Sequence, residues 1–178
     1  MANTTFSGPV RSKNGFINTG PGAVKALTLA TDLTVADHAG RLITMDPAGT
    51  PTAITIPSII STADAAVAGA NDPNNASTIG TTFEILFIDN FTGTIKTANT
   101  ADKFVGAVTL GITASTAGKQ FQVATNNNEV NLNGEAGTAT TGGLKGSIIK
   151  FTAIAANLYA VEGQLLAAGV LATPFDIQ

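Results

Sequence analysis

A single histidine, His38, and a lysine set among glycines, Gly142-Gly143-Leu144-Lys145-Gly146-Ser147, most invite a chemical reading in this 178-residue chain. An imidazole with Asp32 and Asp37 close in sequence has the makings of a general base or a metal ligand. A triad, however, needs a nucleophile oriented by that base, and a metal site needs several ligands at set spacing. The stretch Ala36-Asp37-His38-Ala39-Gly40 supplies neither, so His38 is expected to sit in a loop ahead of a strand. The glycine–lysine run shares its composition with a phosphate loop but not its order. That loop requires a lysine directly after glycine at a helix start, whereas here a β-prone run follows. The glycines are expected to shape a tight entry into a hairpin.

The acids give no more. Asp46, Asp64, Asp72, Asp89 and Asp102 stand beside Pro, Ala, Asn or Lys and carry turn or cap signals. No spaced acidic loop of the calcium-binding kind occurs. With no cysteine, thiolate chemistry, disulfides and zinc–thiolate sites are absent. The expectation is a protein without enzymatic activity, cofactor or metal.

Charge is sparse at 12% of residues, with a net of −3. Phosphate neutralisation needs clustered Lys and Arg, so nucleic acid is not expected as a partner. The first acid is Asp32, which leaves Arg11, Lys13 and Lys25 without counter-charge before it. Taking that +3 from the total leaves −6 for the rest, so a mildly basic arm precedes an acidic body. No apolar run is long enough for a membrane span, and the N-terminus lacks the hydrophobic stretch of a secretory signal. The chain is therefore expected to stay in the cytoplasm where it is made. Aromatics are 6% of residues, nine of them Phe, with one Tyr and no Trp. Flat aromatic platforms for glycans are scarce, and the Phe side chains read as core.

Residues 1–22 show no period and are bent by Ser7-Gly8-Pro9, Asn14-Gly15 and Gly20-Pro21-Gly22. Phe6, Val10, Phe16 and Ile17, with Arg11 and Lys13, suit an extended arm lying on a neighbouring surface. Residues 23–178 read as one β domain. Arg41–Met45 and Thr52–Ile56 flank a Pro/Gly turn and are expected to pair as a hairpin. Residues 58–80 read as an insertion of polar loop and short helix. Phe83, Ile85 and Phe87 share one face of a buried strand, and Thr94–Thr97 is expected to return beside it. Phe121–Ala124 and Val130–Asn133 flank Asn126-Asn127-Asn128 as another expected hairpin. A third runs from Ile148 to Gly163 about the bend Ala155-Ala156-Asn157, with Ile149, Phe151, Tyr159 and Val161 on one face. The fold class expected is all-β: a single antiparallel sandwich or barrel-like domain behind an extended N-terminal arm.

Three segments together carry a family likeness: MANTTFSGPVRSKNGF, DHAGRLITMDPAGTPTAITIP and TTGGLKGSIIKFTAIAANLYAVEGQLLAAGVLATPF. They resemble the capsid decoration proteins of tailed bacteriophages, also described as head-stabilising or cement-like. The closing pattern GGLKG…YAVEG…LATPF is the most specific part, and residues 58–80 lie outside the likeness. The resemblance implies a β-sandwich or barrel-like domain, commonly oligomeric and most often trimeric, on the outer capsid surface. It implies the major capsid protein and further copies of itself as partners, and a virion location after synthesis in the host cytoplasm. A phage fibre or tail-surface module that binds a host glycan is the alternative.

Overall fold

The alternating apolar runs become strands that face one another across a single apolar layer. The computed structural model describes residues 22–47, 52–61, 78–114 and 117–178. In chain order these form β1 (Val24–Leu27), β2 (Thr31–Asp32), α1 (Val35–His38), β3 (Leu42–Met45), β4 (Thr52–Ile56), β5 (Thr82–Phe87) and β6 (Gly93–Thr97). There follow β7 (Lys103–Ile112), β8 (Gly118–Gln122), β9 (Glu129–Leu132), β10 (Ile148–Ala155), β11 (Leu158–Ala167) and β12 (Phe175–Asp176). Seven strands make one sheet in the order β1-β3-β5-β10-β11-β7-β8, and five make the other, β12-β9-β6-β4-β2. The domain is all-β and sandwich-like. The arm residues Phe6, Val10, Arg11, Lys13, Phe16 and Ile17 lie outside the described residues, as does most of the 58–80 insertion with its expected helical turns.

The expected antiparallel character is corrected, because both sheets are mixed. The chain crosses from one sheet to the other at nearly every turn over its first half. Thus β1, β3 and β5 lie parallel in the larger sheet, while β2, β4 and β6 lie parallel in the smaller. Parallel neighbours need a crossover connection, and here the opposite sheet supplies it in place of a helix. The expected pairing of Arg41–Met45 with Thr52–Ile56 does not form: β3 pairs β1 and β5, and β4 pairs β2 and β6. Thr94–Thr97 likewise belongs to the smaller sheet and not beside Phe83–Phe87. Nor do β8 and β9 pair, since β8 lies on β7 and β9 on β6 and β12. One physical reason covers all three. Alternation puts Ile43, Met45, Ile54 and Ile56 inward whether the strands pair side by side or face each other, and facing each other buries all four at 0% exposure.

The β10–β11 hairpin forms in the register Phe151↔Val161 and Ala153↔Tyr159, turning at Asn157 with φ 57°. Asn tolerates that left-handed conformation better than most residues. Its inner face meets β5 through Phe151↔Phe83 and Ile149↔Ile85. Phe83, Ile85, Phe87, Ile149 and Phe151 are fully buried, with Tyr159 and Val161 within 2% of it. Phe151 lies 5.2 Å from Phe104 of β7, ring centre to ring centre, and Phe87 stacks on Phe91 at 4.8 Å. Phe91 sits in the crossing from β5 to β6, so the ring closes that end of the sandwich.

Phe151→Ala should remove about 3–5 kcal/mol, a large share of a domain's stability. Lys145→Ala, on an exposed side chain, should stay within about 0.5 kcal/mol. Urea denaturation of both variants checks this, and the reverse order of effects would contradict the packing described.

Candidate functional site

His38 is the one residue whose side chain could move a proton near neutral pH, and the structure corrects its expected place. It ends the single turn of α1 and is 5% exposed, so it is no solvated loop residue. The Thr34 amide donates to its Nδ1 at 3.0 Å, while Thr34 Oγ1 accepts the Asp37 amide at 3.2 Å. Because Nδ1 accepts, the proton of the neutral ring is on Nε2, which is buried with no partner among the described residues. Burial holds the His38 pKa below its ordinary value, opposed by the Thr34 contact and helped by Lys25. The ring's visible work is to cap the turn that leads from β2 to β3.

The glycine–lysine loop is wired into the fold through its amides. Leu144 donates to Leu166 O at 3.1 Å, Lys145 to Asn90 Oδ1 at 2.9 Å, Gly146 to Phe87 O at 2.8 Å and Ser147 to Leu144 O at 3.0 Å. Four consecutive amides are thus committed within the protein, whereas a phosphate cradle needs them pointing outward together. The buried Ser147 hydroxyl donates to Leu144 O at 2.6 Å and accepts the Leu166 amide at 2.8 Å. Gly142 and Gly143 take φ of 91° and 98°, and a Cβ on Gly142 would fall 2.7 Å from Leu165 Cβ. Both the dihedrals and the close approach call for glycine. The loop seals the end of the sandwich against the Asp89–Phe91 turn.

Asp102 carries a feature that its sequence neighbours do not announce. It is fully buried, and its Oδ2 accepts the Ile59 amide at 3.2 Å from far along the chain. Its Oδ1 has no partner among the described residues. Burial raises the Asp102 pKa, opposed by the Ile59 hydrogen bond and Lys103. Close by, the Tyr159 hydroxyl donates to Pro57 O at 2.7 Å, and burial, with the Asp102 charge, pushes that phenol well above its ordinary range. Asp102 and Tyr159 therefore hold the stem that leaves β4 for the 58–80 segment. Thr78 closes the other stem by exchanging hydrogen bonds with Ile60 (Thr78 N to Ile60 O 2.8 Å, Ile60 N to Thr78 Oγ1 2.9 Å). A local reading of Asp102 as a turn residue misses this, because its partner is distant in sequence.

Ile60, Ile79, Val105 and Ile154 are 36%, 43%, 43% and 45% exposed. Ile79 precedes Gly80, whose amide donates to Ala153 O at 2.7 Å, and this brings it beside Ile154. Across the middle of the larger sheet's outer face runs a charged row, Glu84, Lys150 and Glu162, in which Lys150 Nζ lies 2.7 Å from Glu162 Oε1. This row lines an open groove of about 360 Å³. A second open cleft, of about 500 Å³, runs past Asp32, Thr55, Lys96 and Gln178 at the smaller sheet. Among the described residues no three His, Cys, Asp or Glu side chains come together as a metal set, and no helix is long and apolar enough to cross a membrane. The geometry defines a mixed two-sheet β-sandwich. No family model, curated protein or solved structure matches the chain.

The two buried ionisable groups have opposite pH signatures. A histidine with a lowered pKa contributes stability above the unfolded value of 6.5 that is lost as pH falls through 6.5 toward the folded value. His38→Gln should flatten the stability profile in that window while costing about 1–3 kcal/mol at neutral pH, where the Thr34 amide loses its acceptor. A carboxyl with a raised pKa is worth most below 3.8, and that contribution fades as pH rises through the folded value. Asp102→Asn keeps an acceptor for Ile59 without the charge, so its melting temperature should exceed the parent's at pH 7 and approach it near pH 4. Thermal melts across pH check both.

Proposed function

We propose that this protein is a structural component of a tailed-phage virion that decorates the outer capsid surface and bridges neighbouring major capsid subunits. The observation that carries the reading is where the arm leaves the domain. Gly22 lies two residues before β1, the end strand of the larger sheet, which among the described residues is paired by β3 alone. On this reading the basic, apolar arm of residues 1–22, which joins the chain next to that strand, is the part that contacts a neighbour. Exposed ion pairs with its own acidic body would contribute only about 0–1 kcal/mol each. Seating Phe6, Val10, Phe16 and Ile17 in a neighbour's grooves is worth about 25 cal/mol per Å² of apolar surface.

The likeness to decoration proteins supplies the neighbour, a capsid subunit or a sister copy, with a homotrimer as the expected assembly. The absence of any residue set that reads as catalytic, in sequence or among the described residues, is compatible with a purely structural task. Many weak attachments across an array act together through effective concentration, so no single contact need be strong. The apolar surface about Ile60, Ile79, Val105 and Ile154 offers a second face for burial against the shell.

Deleting residues 1–22 should leave the melting temperature of the isolated domain nearly unchanged and sharply lower its occupancy on capsids. Occupancy is read from gel densitometry of purified particles, where the full-length protein should appear at a copy number comparable to the capsid protein. A handful of copies per particle would favour a fibre or tail module. A truncation that loses many degrees of melting temperature would make the arm an internal part of the fold.

A further inference from the structure

The larger sheet ends at β8, and the two edges of that strand are in different states. The register Val108↔Phe121 and Leu110↔Lys119 sets one edge against β7. The bonds Val123 N to Gly106 O (3.0 Å) and Ile112 N to Ala117 O (3.1 Å) fix the phase. Residues 117, 119, 121 and 123 turn their backbone groups to β7, so Gly118, Gln120 and Gln122 turn theirs outward, where no described strand pairs with them. Such a row of free amides and carbonyls is a template for another strand unless something blunts it. Here the blunting is slight: no proline, no bulge and one charge, Lys119. Gly118, Lys119, Gln120 and Gln122 are exposed, and Phe121 is half-buried.

We propose that β8 is a self-pairing edge that joins two copies of this chain about a two-fold axis at Gln120, making one continuous sheet. Antiparallel pairing about Gln120 sets Gly118 against Gln122 of the second copy and Gln120 against its own counterpart. All three outward residues then exchange both of their hydrogen bonds. The same operation places Lys119 opposite Phe121 of the other copy and Phe121 opposite its Lys119. Within one chain Lys119 Nζ already lies 4.8 Å from the Phe121 ring centre, a cation–π contact. The pairing repeats that match across the axis, twice. A two-fold at Lys119 would instead oppose two lysines. The occupant is therefore a second copy: the strand is complementary to itself in sequence, charge and hydrogen-bonding phase. This contact does not depend on the virion reading, and it is compatible with a trimer built through other surfaces.

The chain has no cysteine, so a single introduced thiol reports on its own counterpart alone. Directly opposed residues of a hydrogen-bonded antiparallel pair stand about 5.5 Å apart at Cα, within the roughly 4.4–6.8 Å that a disulfide spans. Under mild oxidation of the purified full chain, Gln120→Cys should give a covalent dimer on a denaturing gel, many-fold faster than Lys119→Cys or Gln122→Cys. Gln120→Pro removes the outward amide and leaves the β7 ladder intact. It should halve the mass of the largest species seen by light scattering without lowering the melting temperature. Equal crosslinking at all three positions, no crosslinking at 120, or an unchanged mass for Gln120→Pro with its melting temperature retained would each overturn the proposal. Loss of the larger species together with selective crosslinking at 120 establishes it, whether or not the protein binds capsids.

Discussion

Face-to-face burial between consecutive strands governs this protein. After β1, β3 and β5 the chain crosses the apolar layer and lays the next strand over the one it has just left. The inward side chains Ile43, Met45, Ile54 and Ile56 of consecutive strands in opposite sheets are all fully buried. Parallel pairing follows as a consequence. Once β3 and β5 both run before a crossing, they arrive beside each other pointing the same way. The mixed sheets need no helix to return the chain.

The second half of the chain closes what the winding leaves open. β10 lies antiparallel on β5, and β9 lies antiparallel on β6, so the last parallel strand of each sheet gains a partner. The hairpin β10–β11 brings Phe151 and Tyr159 into the centre. The ends are sealed by different means: Phe91 with the committed amides of residues 144–147 at one, and Tyr159 and Asp102 gripping the stem after β4 at the other. The glycine run is a sealing device. Its φ values let backbone pass where a side chain would strike Leu165.

The rims connect fold to function. The larger sheet has two end strands, and the two differ in what they bring. β1 follows the basic residues 1–22 in the chain, whereas β8 carries the outward row Gly118, Gln120 and Gln122. The reading of a surface protein that works in arrays draws on the first, and self-pairing draws on the second. Both draw on the outermost strands of the larger sheet, β1 and β8, each of which has a partner on one side alone among the described residues.

Some of this was legible in the residues alone. Period-two alternation picked out β3, β4, β5, β10 and β11 but not the ten-residue β7, and the residues it placed in the core, Phe83, Ile85, Phe87, Ile149, Phe151, Tyr159 and Val161, are all buried. The hairpin about Asn157 was readable because its turn is local and a left-handed Asn marks it. Lack of cysteine and sparse charge narrowed the chemistry. Which strands pair was not readable, because alternation is identical for a strand that turns back beside its neighbour and one that crosses to face it. Tertiary structure also decided the buried states of His38 and Asp102. The first sits at the end of the four-residue turn of helix, its Nδ1 accepting the Thr34 amide, and the second depends on the Ile59 amide, brought to it by the fold. Strand pairing and the hydrogen bond of Asp102 belong to contacts distant along the chain, and local pattern carries no trace of them.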